Sequence, residues 1–150
     1  MDLNELTGEA IGAAIEVHRV LGGPGLLEEF YETALACELE LRGMRVRRQV
    51  AVPVVYKGHQ IKRPHFVDLM IEDRLIVEVK STERHNALFE AQLLTYLRLT
   101  GLMVGLVINF GERHVRNGIR RVVNRFPENN LSVSAPLRLC VNFSGFLTEN

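Results

Sequence analysis

Along the first third of the chain, apolar positions recur three and four residues apart. Leu3, Leu6, Ala10, Ile11, Ala14, Ile15, His18 and Leu21 fall on one stripe, which predicts a helix over residues 2–21. The run Gly22-Gly23-Pro24-Gly25 breaks it. A second stripe of Leu27, Phe30, Tyr31, Ala34, Leu35 and Leu39 predicts a helix from Leu26 to Leu41, with Gly43 closing it. The period then changes. Val46, Val50, Val52, Val54 and Val55 are β-branched and predict a strand, with Pro53 marking an edge or a bulge and Lys57-Gly58 a turn. Strands are expected over Ile61–Ile71, interrupted early by Pro64, and over Leu75–Lys80, joined by the polar Glu72-Asp73-Arg74. A third helix is expected over Asn86–Thr100, closed by Gly101, then a buried-type strand over Met103–Phe110 and another over Gly118–Asn124. Beyond Pro127 the patterning is weak, with strand-like pieces at Leu131–Val133 and Leu137–Phe143. The order of elements predicts an α/β or α+β sheet covered by helices. One domain is expected over residues 1–126, with residues 127–150 expected as an extension packed on it.

Alternation within the two central strands concentrates chemistry on one side. Side chains of a strand point to opposite faces in turn. Val67, Leu69 and Ile71 are expected on one face, and Phe66, Asp68 and Met70 on the other; Leu75, Val77 and Val79 lie opposite Ile76, Glu78 and Lys80. A three-residue loop, Glu72 to Arg74, pairs Ile71 with Leu75 and sets Asp68 across from Glu78, with Lys80 two places on. A loop shorter by one residue would send the two acids to opposite faces. Two close carboxylates between apolar neighbours repel, and partial burial adds to the conflict. A divalent cation removes it, and an oxygen-only donor set suits Mg²⁺ or Mn²⁺. Lys80 beside such a cation can orient water or stabilise charge on a phosphate. A solvated cross-strand ion pair is the commoner origin of the bare spacing D-x₉-E-x-K.

Composition narrows the class. With 47% hydrophobic residues and 150 residues in all, the chain can bury a real core and is neither disordered nor a disulfide scaffold. No run approaches the ~20 apolar residues of a membrane helix, and the acidic start MDLNELTGEA is not a secretory signal. Cys37 and Cys140 lack metal-type spacing and are expected as buried free thiols, which points to the cytoplasm. Formal net charge is zero, but arginine is clustered. Arg42, Arg45, Arg47 and Arg48 crowd one segment, and Arg113, Arg116, Arg120, Arg121 and Arg125 another. Such clusters serve either as phosphate-binding surface or as a solvated face balanced elsewhere by acids.

Other residues carry weaker signals. Glu28 sits in the first turn of the second helix, where an acid also serves the helix dipole. Gln92 and Tyr96 are one turn apart on the third helix. His18 reads as a hydrogen-bonded core histidine that positions the glycine loop, with an active-site role as the alternative. The other histidines show no ligand spacing. The glycine loop lacks the Lys-Ser/Thr of a P-loop.

Taken together, Glu28, Asp68, Glu78-Val79-Lys80 and Gln92-x-x-x-Tyr96 resemble the PD-(D/E)XK nuclease superfamily, most closely its small prokaryotic GxxExxxY family. The stretches Ala13–His18, Gly23–Glu28, Gln92–Leu97 and Gly105–Gly111 add to the resemblance, which covers residues 5–124. Val67 stands where the superfamily often has proline, and Tyr31 follows Glu28 by three positions where the family label has four. The resemblance implies a restriction-endonuclease-like core, a mixed sheet with an antiparallel meander flanked by helices. It implies Mg²⁺ or Mn²⁺ held by Asp68 and Glu78, with Glu28 an additional acid. Lys80 would assist the attacking water, and Gln92 and Tyr96 would lie near the substrate backbone. The expected activity is hydrolysis of phosphodiester bonds in DNA, with RNA a second candidate. Arg45, Arg47, Arg48, Arg116, Arg120 and Arg121 are the candidate phosphate contacts, and a homodimer would fit nucleases that need two sites. The rival readings are an inactive module on the same fold that binds nucleic acid or protein, and a carboxylate-pair hydrolase of sugars, which leaves Lys80 unexplained.

Overall fold

The computed structural model describes residues 1–125. The expected strand pieces at 131–133 and 137–143, Cys140 and the packed extension 127–150 lie outside the described residues. Helices α1 (Leu3–Val20) and α2 (Glu28–Leu41) come first. Strands β1 (Val46–Val52), β2 (Val55–Tyr56), β3 (His59–Gln60), β4 (His65–Ile71) and β5 (Leu75–Lys80) follow. Helix α3 (Leu88–Thr100), strand β6 (Val104–Asn109), a 3₁₀ turn (Val115–Gly118) and strand β7 (Ile119–Val123) complete the described chain. The five-stranded sheet has the order β1-β4-β5-β6-β7, with β5 and β6 parallel and every other neighbour antiparallel. The parallel pair requires a crossover, and α3 supplies it. This is the mixed sheet flanked by helices that the resemblance implied.

Two apolar layers hold the sheet. On one face Leu69, Ile71, Leu75, Val77, Val79, Leu106 and Ile108 pack against Leu6, Ala10, Ala13, Ala14 and Leu35 of α1 and α2. On the other Met70, Ile76 and Val107 pack under Leu93 and Leu97 of α3. α1 starts with a capping box in which the Asp2 and Glu5 carboxylates each accept from the other's backbone N–H. Gly105 explains how closely α3 sits: a Cβ there would come within 2.8 Å of the Leu93 side chain.

Several expectations need correction. The strand expected from Ile61 begins at His65, because Pro64 cannot donate to a ladder, and His59–Gln60 instead pairs with Val55–Tyr56 in a separate hairpin. Leu27 and Phe30 are more than half exposed, and Cys37 is exposed rather than buried, because α2 turns Tyr31, Glu32, Leu35, Ala36 and Leu39 inward. Val67 does not share a face with Leu69 and Ile71. It joins Met70 in the layer under α3, as do its partner Val50 and Val52, whereas Val46 faces the α1–α2 layer. β1 and β4 therefore change faces together between these positions. The register stays constant on both sides of the change, and the one pair missing from the ladder is Gln49 with Asp68. Gln49 sits there with φ +50, in the left-handed region.

Candidate active site

The β4–β5 turn sets the geometry. Ile71 pairs with Leu75, so Glu72, Asp73 and Arg74 form the loop, closed by the Arg74 N–H donating to Ile71 C=O at 3.0 Å. Glu72 and Asp73 both have positive φ, as a tight hairpin turn demands. The Glu72 carboxylate is tied to Arg45, which holds the turn. The ladder runs through Leu69 and Val77 and ends there. Continued by one place, it sets Asp68 across from Glu78. The Asp68 carboxylate takes over at the break: its Oδ2 accepts from the Val79 N–H at 2.7 Å.

Burial leaves the charge of this pair poorly compensated. Glu78 is 5% exposed, and its Oε1 is a buried oxygen with no hydrogen-bond partner among the described residues. Desolvation, then the negative charge of Asp68, pushes its carboxyl up to about 8, against a partial pull downward from Lys80. Asp68 is also raised, chiefly by burial, against the pull of the Val79 N–H. Both shifts describe negative charge that lacks compensation. Lys80 leaves β5 on the same side, its ammonium 4.8 Å from the centre of the Phe89 ring. Tyr96 of α3 stacks on His65 with ring centres 4.2 Å apart, and burial, then the charges of Glu78 and Asp68, hold its hydroxyl protonated to higher pH than usual. Gln92 is exposed one turn before it.

The remaining sequence candidates are placed differently. The Glu28 carboxylate accepts from the Ser81 N–H at 3.4 Å, just past Lys80, and Ser81 Oγ donates to Leu26 C=O. Glu28 thus borders the strand end, and among the described residues no group of three or more His, Cys, Asp or Glu side chains makes a ready metal cage. Tyr31 is buried and structural. It stacks on Phe110, donates to Gly23 C=O at 2.7 Å and accepts from the Leu26 N–H, which fixes the glycine loop carrying Glu28. His18 Nε2 lies 3.0 Å from Glu112 C=O. Of the arginines, Arg45 and Arg47 pair with Glu72 and Asp73, and Arg48 with Glu32. Arg121 reaches Asn4 of α1, whereas Arg120, whose Nη1 donates to Asn117 C=O at 2.8 Å and Ile119 C=O at 3.2 Å, pairs in register with Val107, itself beside Glu78. Arg116 is exposed on the 3₁₀ turn.

Two residues of this site escaped sequence reasoning. Glu32, one helical turn after Glu28, is 8% exposed, and its charge adds to the upward push on Asp68. Gln49 donates to both Glu32 oxygens, at 3.0 and 3.1 Å, and to Asp68 Oδ1 at 3.4 Å. The i, i+4 spacing of Glu28 and Glu32 was a usable signal; nothing in the strand pattern marked Gln49. Asn109 also matters: its side-chain amide exchanges hydrogen bonds with Thr82 and so anchors the segment after Lys80.

The family model of the PD-(D/E)XK nuclease superfamily matches residues 4–122. The chain belongs to this superfamily. The matched stretch of this PD-(D/E)XK protein includes Asp68 on β4 and Glu78 and Lys80 on the adjacent β5. A solved structure described as the crystal structure of SSO0001 is similar in fold, with a TM-score of 0.51 and 15% identity. The alignment covers 80% of this chain and 58% of that one, so the PD-(D/E)XK chain described here spans a little over half of its structural neighbour. No curated protein gives a significant match. No helix among the described residues is long and apolar enough to cross a membrane.

Proposed function

We propose that the protein is a metal-dependent nuclease that hydrolyses phosphodiester bonds in DNA, and that within its superfamily it belongs with the small prokaryotic GxxExxxY proteins. One observation carries the metal: a buried, unpartnered Glu78 oxygen stands beside a second desolvated carboxylate. That donor set fits a hard divalent cation, Mg²⁺ or Mn²⁺. Asp68 and Glu78 would hold it, with Glu28 as the additional acid at the end of β5. When bound, such an ion polarises phosphate and acidifies water.

The chain's own groups do the positioning. Lys80, supported by the Phe89 ring, offers its ammonium to a phosphate oxygen or to the attacking water. Tyr96, kept protonated by burial and then by the acids, remains a hydrogen-bond donor for the substrate backbone, and Gln92 extends that edge by one turn. Arg120 is the best-supported phosphate contact of the six candidates, because its row of the sheet leads through Val107 to Glu78. Two strand spacings of about 4.8 Å separate the ends of that row. Arg45, Arg47, Arg48 and Arg116 extend the proposed contact set, and Arg121, bound to Asn4 on the opposite face, is its weakest member. A cytoplasmic location and a homodimer belong to the same reading.

The test is cleavage of single-stranded DNA, duplex DNA and RNA with Mg²⁺ or Mn²⁺. Asp68→Ala and Lys80→Ala should each lower the rate by roughly 100-fold or more. Activity that survives both changes rejects the assignment. Nucleic acid bound without cleavage, together with no heat of Mn²⁺ binding at millimolar metal, returns the protein to the class of binding modules.

A further inference from the structure

The face change shared by β1 and β4 has a price in backbone strain, and Gln49 carries it. A left-handed conformation costs a residue with a Cβ about 1–2 kcal/mol, yet Gln49 adopts φ +50 within a strand whose register is unbroken on either side. Strain of this kind persists where surrounding structure demands it, often beside functional groups. The demand here is visible. The Gln49 amide nitrogen lies between two carboxylates from different elements, Glu32 of α2 and Asp68 of β4. Arg48 Nε approaches the same Glu32 oxygen at 3.4 Å, so Glu32 is held from two successive strand residues, which the altered backbone permits. Asp68 is then gripped at both oxygens, Oδ1 by Gln49 and Oδ2 by the Val79 N–H.

We propose that Gln49 is a positioning residue: its amide, brought into place by the left-handed backbone, spaces Asp68 from Glu32 and fixes the orientation that Asp68 presents to Glu78. An amide suits the task because its NH₂ group gives two donors and no charge. The inference rests on the nuclease reading for its catalytic meaning, but the tether itself exists without metal.

Two variants separate the side chain from the backbone. Gln49→Gly accepts positive φ without a Cβ penalty and removes the amide. Gln49→Asn tolerates the same φ with an amide one methylene shorter. Both should fold with a Tm no lower than wild type by more than a few degrees. In both, hydrogen exchange at the Val79 amide, referred to Val77 on the same strand, should quicken roughly tenfold as Asp68 loses its grip. Mn²⁺ affinity, read by calorimetry, should fall roughly ten- to hundredfold, as for loss of a group that orients a metal ligand. Unchanged relative exchange at Val79 in both variants overturns the proposal, whatever the metal does. Faster exchange at Val79, in a protein whose wild type takes up no Mn²⁺, supports the tether and rejects the metal reading instead.

Discussion

Glu78 is the residue at which charge and burial meet most directly. Its folded-state pKa of about 8 stands above the ordinary 4.5. Between those values the folded protein keeps a proton that the unfolded chain has released, so stability falls as pH rises through this window. The metal-free protein should therefore melt at a higher temperature at pH 5 than at pH 8, and Glu78→Gln should flatten that slope. Asp68, raised for the same reason, acts in the same direction. Mn²⁺ or Mg²⁺ must displace the proton, so their stabilising effect should grow with pH. Thermal melts at several pH values, with chelator and with metal, measure both trends. A stability that climbs from pH 5 to pH 8 without metal would contradict the burial of uncompensated charge.

At the scale of elements, the site depends on how tightly α3 lies on β6. Leu93 touches Gly105, and the same helix presents Gln92 and Tyr96. Gly105→Ala should force Leu93 outward and cost about 1–3 kcal/mol, as overpacking does. Denaturant unfolding reads the loss, and cleavage should fall beyond what the unfolded fraction explains, because Tyr96 moves with the helix. The elements themselves were legible in the sequence. The stripe of α1, the span of α3, the Glu72–Arg74 loop and the pairing of Ile71 with Leu75 follow from period and turn chemistry. The face of α2 was not fully legible. Its apolar residues outnumber its buried positions, and only packing against α1 and the sheet decided that Tyr31 and Leu35 go in while Leu27 and Phe30 stay out.

For the whole molecule, nucleic-acid binding should show the signature of phosphate contact. The logarithm of affinity for duplex DNA should fall with the logarithm of salt at a slope of about −0.9 per contact. Arg120→Ala should reduce that slope by about 1. Arg121→Ala, whose side chain is bound to Asn4 on the other face, should change it less. Filter binding or fluorescence anisotropy across a salt series distinguishes them, and equal effects would show that the row from Glu78 to Arg120 does not mark the substrate's path.

The sequence by itself determined the periodicity of the helices, the alternation of β5 and the loop length that brings Asp68 level with Glu78. These depend on neighbours a few residues apart, where covalent geometry and side-chain polarity suffice. Tertiary structure alone decided the rest. The coordinated face change at Gln49 and Asp68, the approach of Glu32, the roles of Tyr31 and Asn109, and the separation of Arg120 from Arg121 all join residues distant in sequence. Local pattern carries no term for a strand that leaves its alternation to satisfy a buried carboxylate on another element, because that energy exists only once the helix and the sheet have met.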